Sequence, residues 1–259
     1  MRIFISWVTG LSLSLCASLG QAESQWNGKS AAVVLTYDDS LNVHLDTVIP
    51  ALDQRNLKGT FYITLASQGF SQRIDEWRSA AANGHELGNH TLFHPCNGQG
   101  AGRSWVSSEQ DLSTWSVDRM VRHLEVANTA LQAVDGKTKR TYAYPCGDMT
   151  AGGESYVDAI KPLFVGARGV VPGFPPAAQT DRYDIASHVV NGQSIEALKA
   201  LVNTAIGEKG LLVFLFHGVG GEHSMNVDTE THNQLLDYLR QQQDQLWIAP
   251  MLDIAQSLP

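Results

Sequence analysis

The segment Gly88-Asn89-His90-Thr91-Leu92-Phe93-His94-Pro95 sets two imidazoles four residues apart. On a single helical turn that spacing puts both rings on one side, close enough to share an ion. The Thr91 hydroxyl is expected to steady the turn, and Pro95 to stop it growing into a longer helix. Nine histidines in the chain make such a spacing unsurprising by chance, and two surface histidines on a loop would read the same way. Asp38-Asp39, at the end of an apolar run, tips the balance. One carboxylate and two histidines form a three-ligand set that leaves a zinc position open for water.

A doubled aspartate after a strand could cap the next helix, but a cap needs only one. If one carboxylate holds the ion, its neighbour can take the proton from the attacking water, whose pKa zinc brings to about 7. His217-Gly218 follows the wholly apolar run Leu211 to Phe216. A lone histidine is usually a satisfied core residue. At a strand end, before glycine, a general acid for the leaving group is the sharper reading. The oxyanion would be held by the ion and a backbone N–H of the loop Tyr144-Pro145-Cys146-Gly147.

The elements that must position these groups alternate between strand and helix. Strands are expected at Ala31–Tyr37, Thr60–Leu65, His85–Asn89, Arg140–Tyr144, Phe164–Arg168, Tyr183–Val190, Leu211–Phe216 and Leu246–Pro250. Helical spacing marks Val43 to Leu57, Ile74–Ala82, Val117 up to Gly136, Ser155–Lys161, Ile195–Ile206 and Thr229–Gln242. Apolar strands separated by helices imply a parallel sheet covered on both faces. Seven or eight such units favour an α/β barrel over an open sheet. In that class the carboxyl ends of the strands bear the site, and Asp38-Asp39, His90 to His94, Tyr144-Pro145 and His217 all follow strands.

The chain has 259 residues and a formal net charge of −8, room for one large domain with a full core. Acidity without a basic cluster excludes nucleic acid as a partner. Arg2, the apolar stretch Ile3 to Leu19 and the small residues Gly20-Gln21-Ala22 read as a signal peptide over residues 1–22. The catalytic domain would then be residues 23–259. No second stretch is long enough to span a bilayer, so a secreted or periplasmic protein without stable membrane insertion is expected. Leu15 before Cys16 does not suit lipoprotein cleavage. Export leaves Cys96 and Cys146 in an oxidising compartment, where a bridge is favoured over two buried free thiols.

Thr36-Tyr37-Asp38-Asp39-Ser40 resembles the T-F-D-D-G motif of the polysaccharide deacetylases, the NodB-type family-four carbohydrate esterases. His90-Thr91-Leu92-Phe93-His94 is similar to their H-[ST]-x-x-H, Leu215-Phe216-His217 to their L-x-H, and Tyr142 to Gly147 to a divergent R-x-P-Y segment. The resemblance covers roughly Ala31 to Ala255. It implies a distorted (β/α) barrel, Asp38 as base, Asp39, His90 and His94 as ligands of a divalent metal, and His217 as acid. That metal would be zinc, with cobalt or manganese as alternatives. Tyr144, Pro145, Cys146, Gly147 and Leu215 would meet the substrate. The implied activity is removal of N- or O-linked acetyl groups from a polysaccharide or oligosaccharide; the alternative is a catalytically inactive glycan-binding barrel.

Two departures stand out. Ala143 occupies the position of the family's base-orienting arginine, and Arg168, in Gly166-Ala167-Arg168-Gly169, could supply that guanidinium from another strand end. The fourth motif, D-x-x-D-W, has only a poor match in Asp181-Arg182-Tyr183-Asp184. His223 and His232 flank the last helix and read as solvated. Trp105 and Trp115 could line a glycan groove, core packing being at least as good an account. A phosphoester hydrolase is disfavoured for want of a second metal set and of basic residues near the site.

Overall fold

The computed structural model describes Met1 and residues 26–259, so the export signal expected over residues 1–22 lies outside the described residues. Eight parallel strands form one sheet: β1 Ala31–Asp38, β2 Thr60–Ile63, β3 Glu86–Asn89, β4 Tyr142–Ala143, β5 Ala167–Arg168, β6 His188–Val189, β7 Leu211–Phe216 and β8 Leu246–Ile248. Their order is β5-β4-β3-β2-β1-β7-β6, with β8 beside the first half of β1. A single parallel bridge from Arg168 to Ile185 joins the β5 edge to the segment leading into β6. The sheet thus curls back on itself as a distorted (β/α) barrel.

Every residue of β1 and of β7 is buried. Val33, Leu35 and Tyr37 pack outward with the helices Ile195–Glu208 and Thr229–Gln241, through Leu198, Val202, Leu235 and Leu239. Ala32 and Val34 face the barrel interior with Leu211, Val213 and Ile185. By strand alternation Thr36 and Asp38 share that inward face. The C-terminal helix Met251–Ser257, absent from the sequence reading, closes the lower end with Met251, Ile254 and Ala255. The β1–β7 register pairs Tyr37 with Phe216. Asp38 and His217 therefore leave their strands at one height, on the rim opposite the plug.

The helices Ile74–Ala82 and Val117–Asp135 match their expected spans, the second ending at Gly136 with φ 71°, a left-handed cap that glycine adopts without strain. Around β4, β5 and β6 the strands shrink to two residues each, shorter than the runs expected there. Cys96 and Cys146 are joined by a disulfide, which ties the loop after β3 to the loop after β4.

Candidate active site

Consecutive strand residues point to opposite faces, so an extended Asp38-Asp39 would send one carboxylate away from the pocket. The chain avoids this by turning at once. Asp39 and Ser40 both adopt left-handed backbone, φ 77° and 54°. Such residues cost about 1–2 kcal/mol each, no more than the ~2 kcal/mol contributed by one buried Leu or Phe of the neighbouring strand. The turn is held by Ser40, whose Oγ accepts the Thr64 N–H at 2.9 Å and whose carbonyl accepts the Ser67 hydroxyl at 3.1 Å. Both carboxylates then line one cavity of about 330 Å³ with His90, His94 and His217.

The histidine pair converges, but not on a helical turn. Thr91 and His94 have φ of 71° and 55°, so residues 90–94 form an irregular loop that brings the rings to a centroid distance of 4.8 Å. The Thr91 Oγ1 accepts the His94 N–H at 2.8 Å, and Asn89 Oδ1 accepts the Thr91 N–H at 2.7 Å. These local bonds replace the helical ones that the i, i+4 spacing suggested.

Asp39 Oδ1 lies 3.6 Å from His90 Nε2 and 3.5 Å from His94 Nε2. The His90 Nδ1 is 2.8 Å from the Ala143 carbonyl, so it donates there and turns the Nε2 lone pair toward Asp39 and the pocket. Burial pushes the His90 ring down to about 4, which keeps it neutral and able to ligate at neutral pH. Burial pushes the Asp39 carboxyl up, but His94, His90, His217 and His223 together more than offset this and leave it below its usual range. An acidic oxygen and two imidazole nitrogens on one locus could hold a divalent metal.

Asp38 is buried, and the Arg168 guanidinium, itself fully buried on β5, bonds its Oδ2 from across the barrel. The other oxygen, Oδ1, is buried without a partner among the described residues. Arg168 also donates to the Gly169 carbonyl at 3.2 Å and lies over the Tyr62 ring. His217 Nε2 is 3.8 Å from Asp39 Oδ2; burial lowers its pKa, while Asp38 and Asp39 pull the other way. Its Nδ1 has no partner among the described residues.

Tyr144, Cys146 and Leu215 line the cavity. Pro145 is buried behind them, and Gly147 lies behind Val170, whose side chain a Cβ at Gly147 would meet at 2.5 Å. In this loop the Gly147 and Asp148 N–H groups bond to the Tyr144 and Pro145 carbonyls and the Tyr144 N–H to Arg168, which leaves the Cys146 N–H as the candidate donor. Trp105, 61% exposed, stands at the rim, whereas Trp115 is buried in the core.

His223 is a correction. It is not a solvated bystander: it lines the cavity, and its ring stacks on His217 with centroids 4.6 Å apart and planes at 13°. Nor is the site short of a second potential metal set, since Asp39, His217 and His223 also approach one another. No periodic pattern marks His223, which sits six positions after His217 in a glycine-rich loop. His232 is also not solvated; it is fully buried, 2.9 Å from the Tyr37 hydroxyl.

With the site in place, comparison with known proteins identifies the lineage. The family model described as polysaccharide deacetylase matches residues 26–158. The chain belongs to the polysaccharide deacetylase family. A curated gellan lyase from a Bacillus species is 27% identical over 265 residues, covering 91% of this chain and 10% of that protein. The chain spans between a tenth and a half of the length of the curated relatives it matches. Among solved structures, a putative polysaccharide deacetylase from Mycobacterium smegmatis superposes with a TM-score of 0.64 at 16% identity, covering 89% of this chain and 91% of that one. A mutant of a family-four carbohydrate esterase pseudoenzyme from Bacillus anthracis gives 0.55 at 16% identity, covering 87% and 67%. At these identities the likeness to the solved structures is one of fold.

Proposed function

We propose that the chain is a metal-dependent hydrolase that removes acetyl groups from a polysaccharide or oligosaccharide. Asp39, His90 and His94 would hold the ion. When bound, a divalent ion, zinc by preference and cobalt or manganese as alternatives, polarises the acetyl carbonyl and acidifies water. The observation that carries the reading is Asp38, anchored through Oδ2 to Arg168 and left with a buried, unpartnered Oδ1. That oxygen takes the proton from the attacking water, while Arg168 fixes the carboxylate's direction. His217, at the same height on the adjoining strand, delivers a proton to the departing sugar nitrogen or oxygen. The Cys146 N–H donates to the oxyanion as it develops. Amide and ester substrates ask the same chemistry of these residues, so the proposal covers N- and O-linked acetyl groups.

Export fits the same picture. The disulfide suits an oxidising compartment, and no helix among the described residues is long and apolar enough to cross a membrane. The deciding experiment measures acetate released from acetylated xylan, chitin oligosaccharides and peptidoglycan, with and without a chelator. Acetate that disappears with the chelator and returns with zinc supports the proposal. A second reading is kept because a pseudoenzyme shares this fold. Glycan binding with no acetate from any substrate, zinc present, would establish the inactive glycan-binding barrel instead.

A further inference from the structure

Asp39 presents its two oxygens to two pairs of imidazoles. Oδ1 faces His90 and His94; Oδ2 lies 3.8 Å from His217 Nε2 and 3.9 Å from His223 Nε2. The proposed reaction uses three of these rings and leaves His223 over. By proximity alone, Asp39, His217 and His223 could hold a second ion. The bonding of the ring nitrogens points elsewhere. A metal-ligating histidine almost always donates its other ring N–H to an acceptor, which turns the lone pair to the ion. His90 does so through Ala143, whereas His94 Nδ1 meets only the Cys96 sulfur at 3.6 Å. His217 Nδ1 has no partner among the described residues. In His223 the polarity is reversed: Nδ1 accepts the Met225 N–H at 3.0 Å, with the Met225 carbonyl further off at 3.3 Å. A neutral imidazole whose Nδ1 accepts carries its proton on Nε2. The Met225 amide can only donate, so the shorter contact favours the tautomer with the proton on Nε2, in which His223 shows the pocket an N–H donor.

The chain invests in holding that ring. Gly218–Val219 pairs with Asn226–Val227, and the turn between them runs through Gly220, Gly221 and Glu222 at φ 78°, 140° and 66°. Glu222, left-handed without being glycine, is pinned by the Asn42 side-chain amide at 2.6 Å and the Val43 N–H at 2.7 Å on its carboxylate. The ring then lies flat on His217, only 26% of its side chain exposed. A surface histidine needs none of this.

We propose that His223 contacts the substrate, its Nε2–H donating to a hydroxyl or ring oxygen of the bound sugar on the leaving-group side of the scissile acetyl bond. The proposal rests on the reading that this cavity receives an acetylated sugar. It makes His223 a selector for a sugar that carries an acceptor oxygen beside the acetyl group.

The test compares wild type with His223→Phe, which keeps a flat ring against His217 but no donor, and with His223→Gln, which returns an amide N–H near the Nε2 position. Zinc stoichiometry, acetate release and calorimetric affinity for N-acetylated chito-oligosaccharides and acetylated xylo-oligosaccharides are measured for each. Phe should lose about tenfold or more in kcat/KM and Gln should keep most of it, as for loss of one buried hydrogen bond. Zinc bound per chain should not change in either. A Phe variant equal to wild type overturns the proposal, because stacking would then be all that His223 supplies. So does zinc stoichiometry that falls on replacement, because His223 would then be a ligand. If wild type releases no acetate from any sugar, the enzymatic reading fails on its own, and oligosaccharide affinity decides between the same outcomes for His223.

Discussion

The two imidazole pairs around Asp39 are built from different materials. His90 and His94 come from one continuous loop after β3, braced by side-chain bonds from Thr91 and Asn89, by His90 on Ala143, and by the Cys96–Cys146 disulfide beyond. His217 and His223 come from a strand end and from a separate turn, and rest on each other. In the first pair His90 is oriented by the Ala143 carbonyl, while His94 Nδ1 meets only the Cys96 sulfur at 3.6 Å; in the second, His217 Nδ1 has no partner among the described residues and His223 Nδ1 lies on the Met225 N–H. One carboxylate can serve both because its two oxygens face different ways. If the proposed roles hold, the bonding of His90 and of His223 distinguishes the pairs where distance to Asp39 does not.

Breaking the first pair should have the largest effect. His94→Ala is expected to abolish tight zinc binding and lower kcat/KM by about 10³ or more, whereas His217→Asn should keep its zinc and lose kcat by about 10²-fold or more. Metal titration beside acetate assays separates the two, and equal zinc loss in both variants would erase the contrast.

The brace on the first pair comes next. Replacing Cys96 and Cys146 together by Ser should destabilise the fold by about 4 kcal/mol, given that the two close a loop of separation 50. Denaturant melts measure this, and zinc affinity should weaken alongside. A stable variant with unaltered zinc affinity would show that the loop bonds suffice.

Arg168 belongs to neither pair but bonds Asp38, the proposed base. Arg168→Ala should lower kcat by about 10²-fold with zinc retained, and Arg168→Lys should rescue little, since an ammonium lacks the planar fork. Full turnover in the Ala variant would remove Arg168 from the site's function.

The smallest effect sharpens the second pair. His44, fully buried, has Nε2 2.8 Å from the His217 carbonyl, and burial lowers its pKa to about 4. The unfolded chain regains the ordinary value near 6.5. Between these two pKa values the unfolded state binds more protons. This contribution is therefore whole above pH 6.5, declines as pH falls, and is gone by about pH 4. Thermal melts should show Tm falling through that window, and His44→Gln, which donates without titrating, should flatten the slope. An unchanged slope would acquit His44.

How much of this was legible in the chain varies by region. β1 and β7 were plain because both faces are buried, which forces unbroken apolar runs. The strands β4 to β6 were overdrawn because their pairing stops where the loops of the rim begin. Ala143 leaves no guanidinium in the third motif, and the fold puts Arg168 on Asp38 instead. Neither spacing nor neighbours distinguish His223 from a solvated histidine, so its place in the pocket is not legible in the chain.

Residue types and order by themselves determined the alternating strands and helices, the lineage and the chemical identity of the candidate groups, since burial periodicity and donor type are written locally. Tertiary structure alone decided which rings face which carboxylate oxygen, the left-handed turns at Asp39 and Thr91, and the placing of His223 against His217. Those depend on backbone torsions and contacts between segments remote along the chain. A short-range pattern carries no record of either.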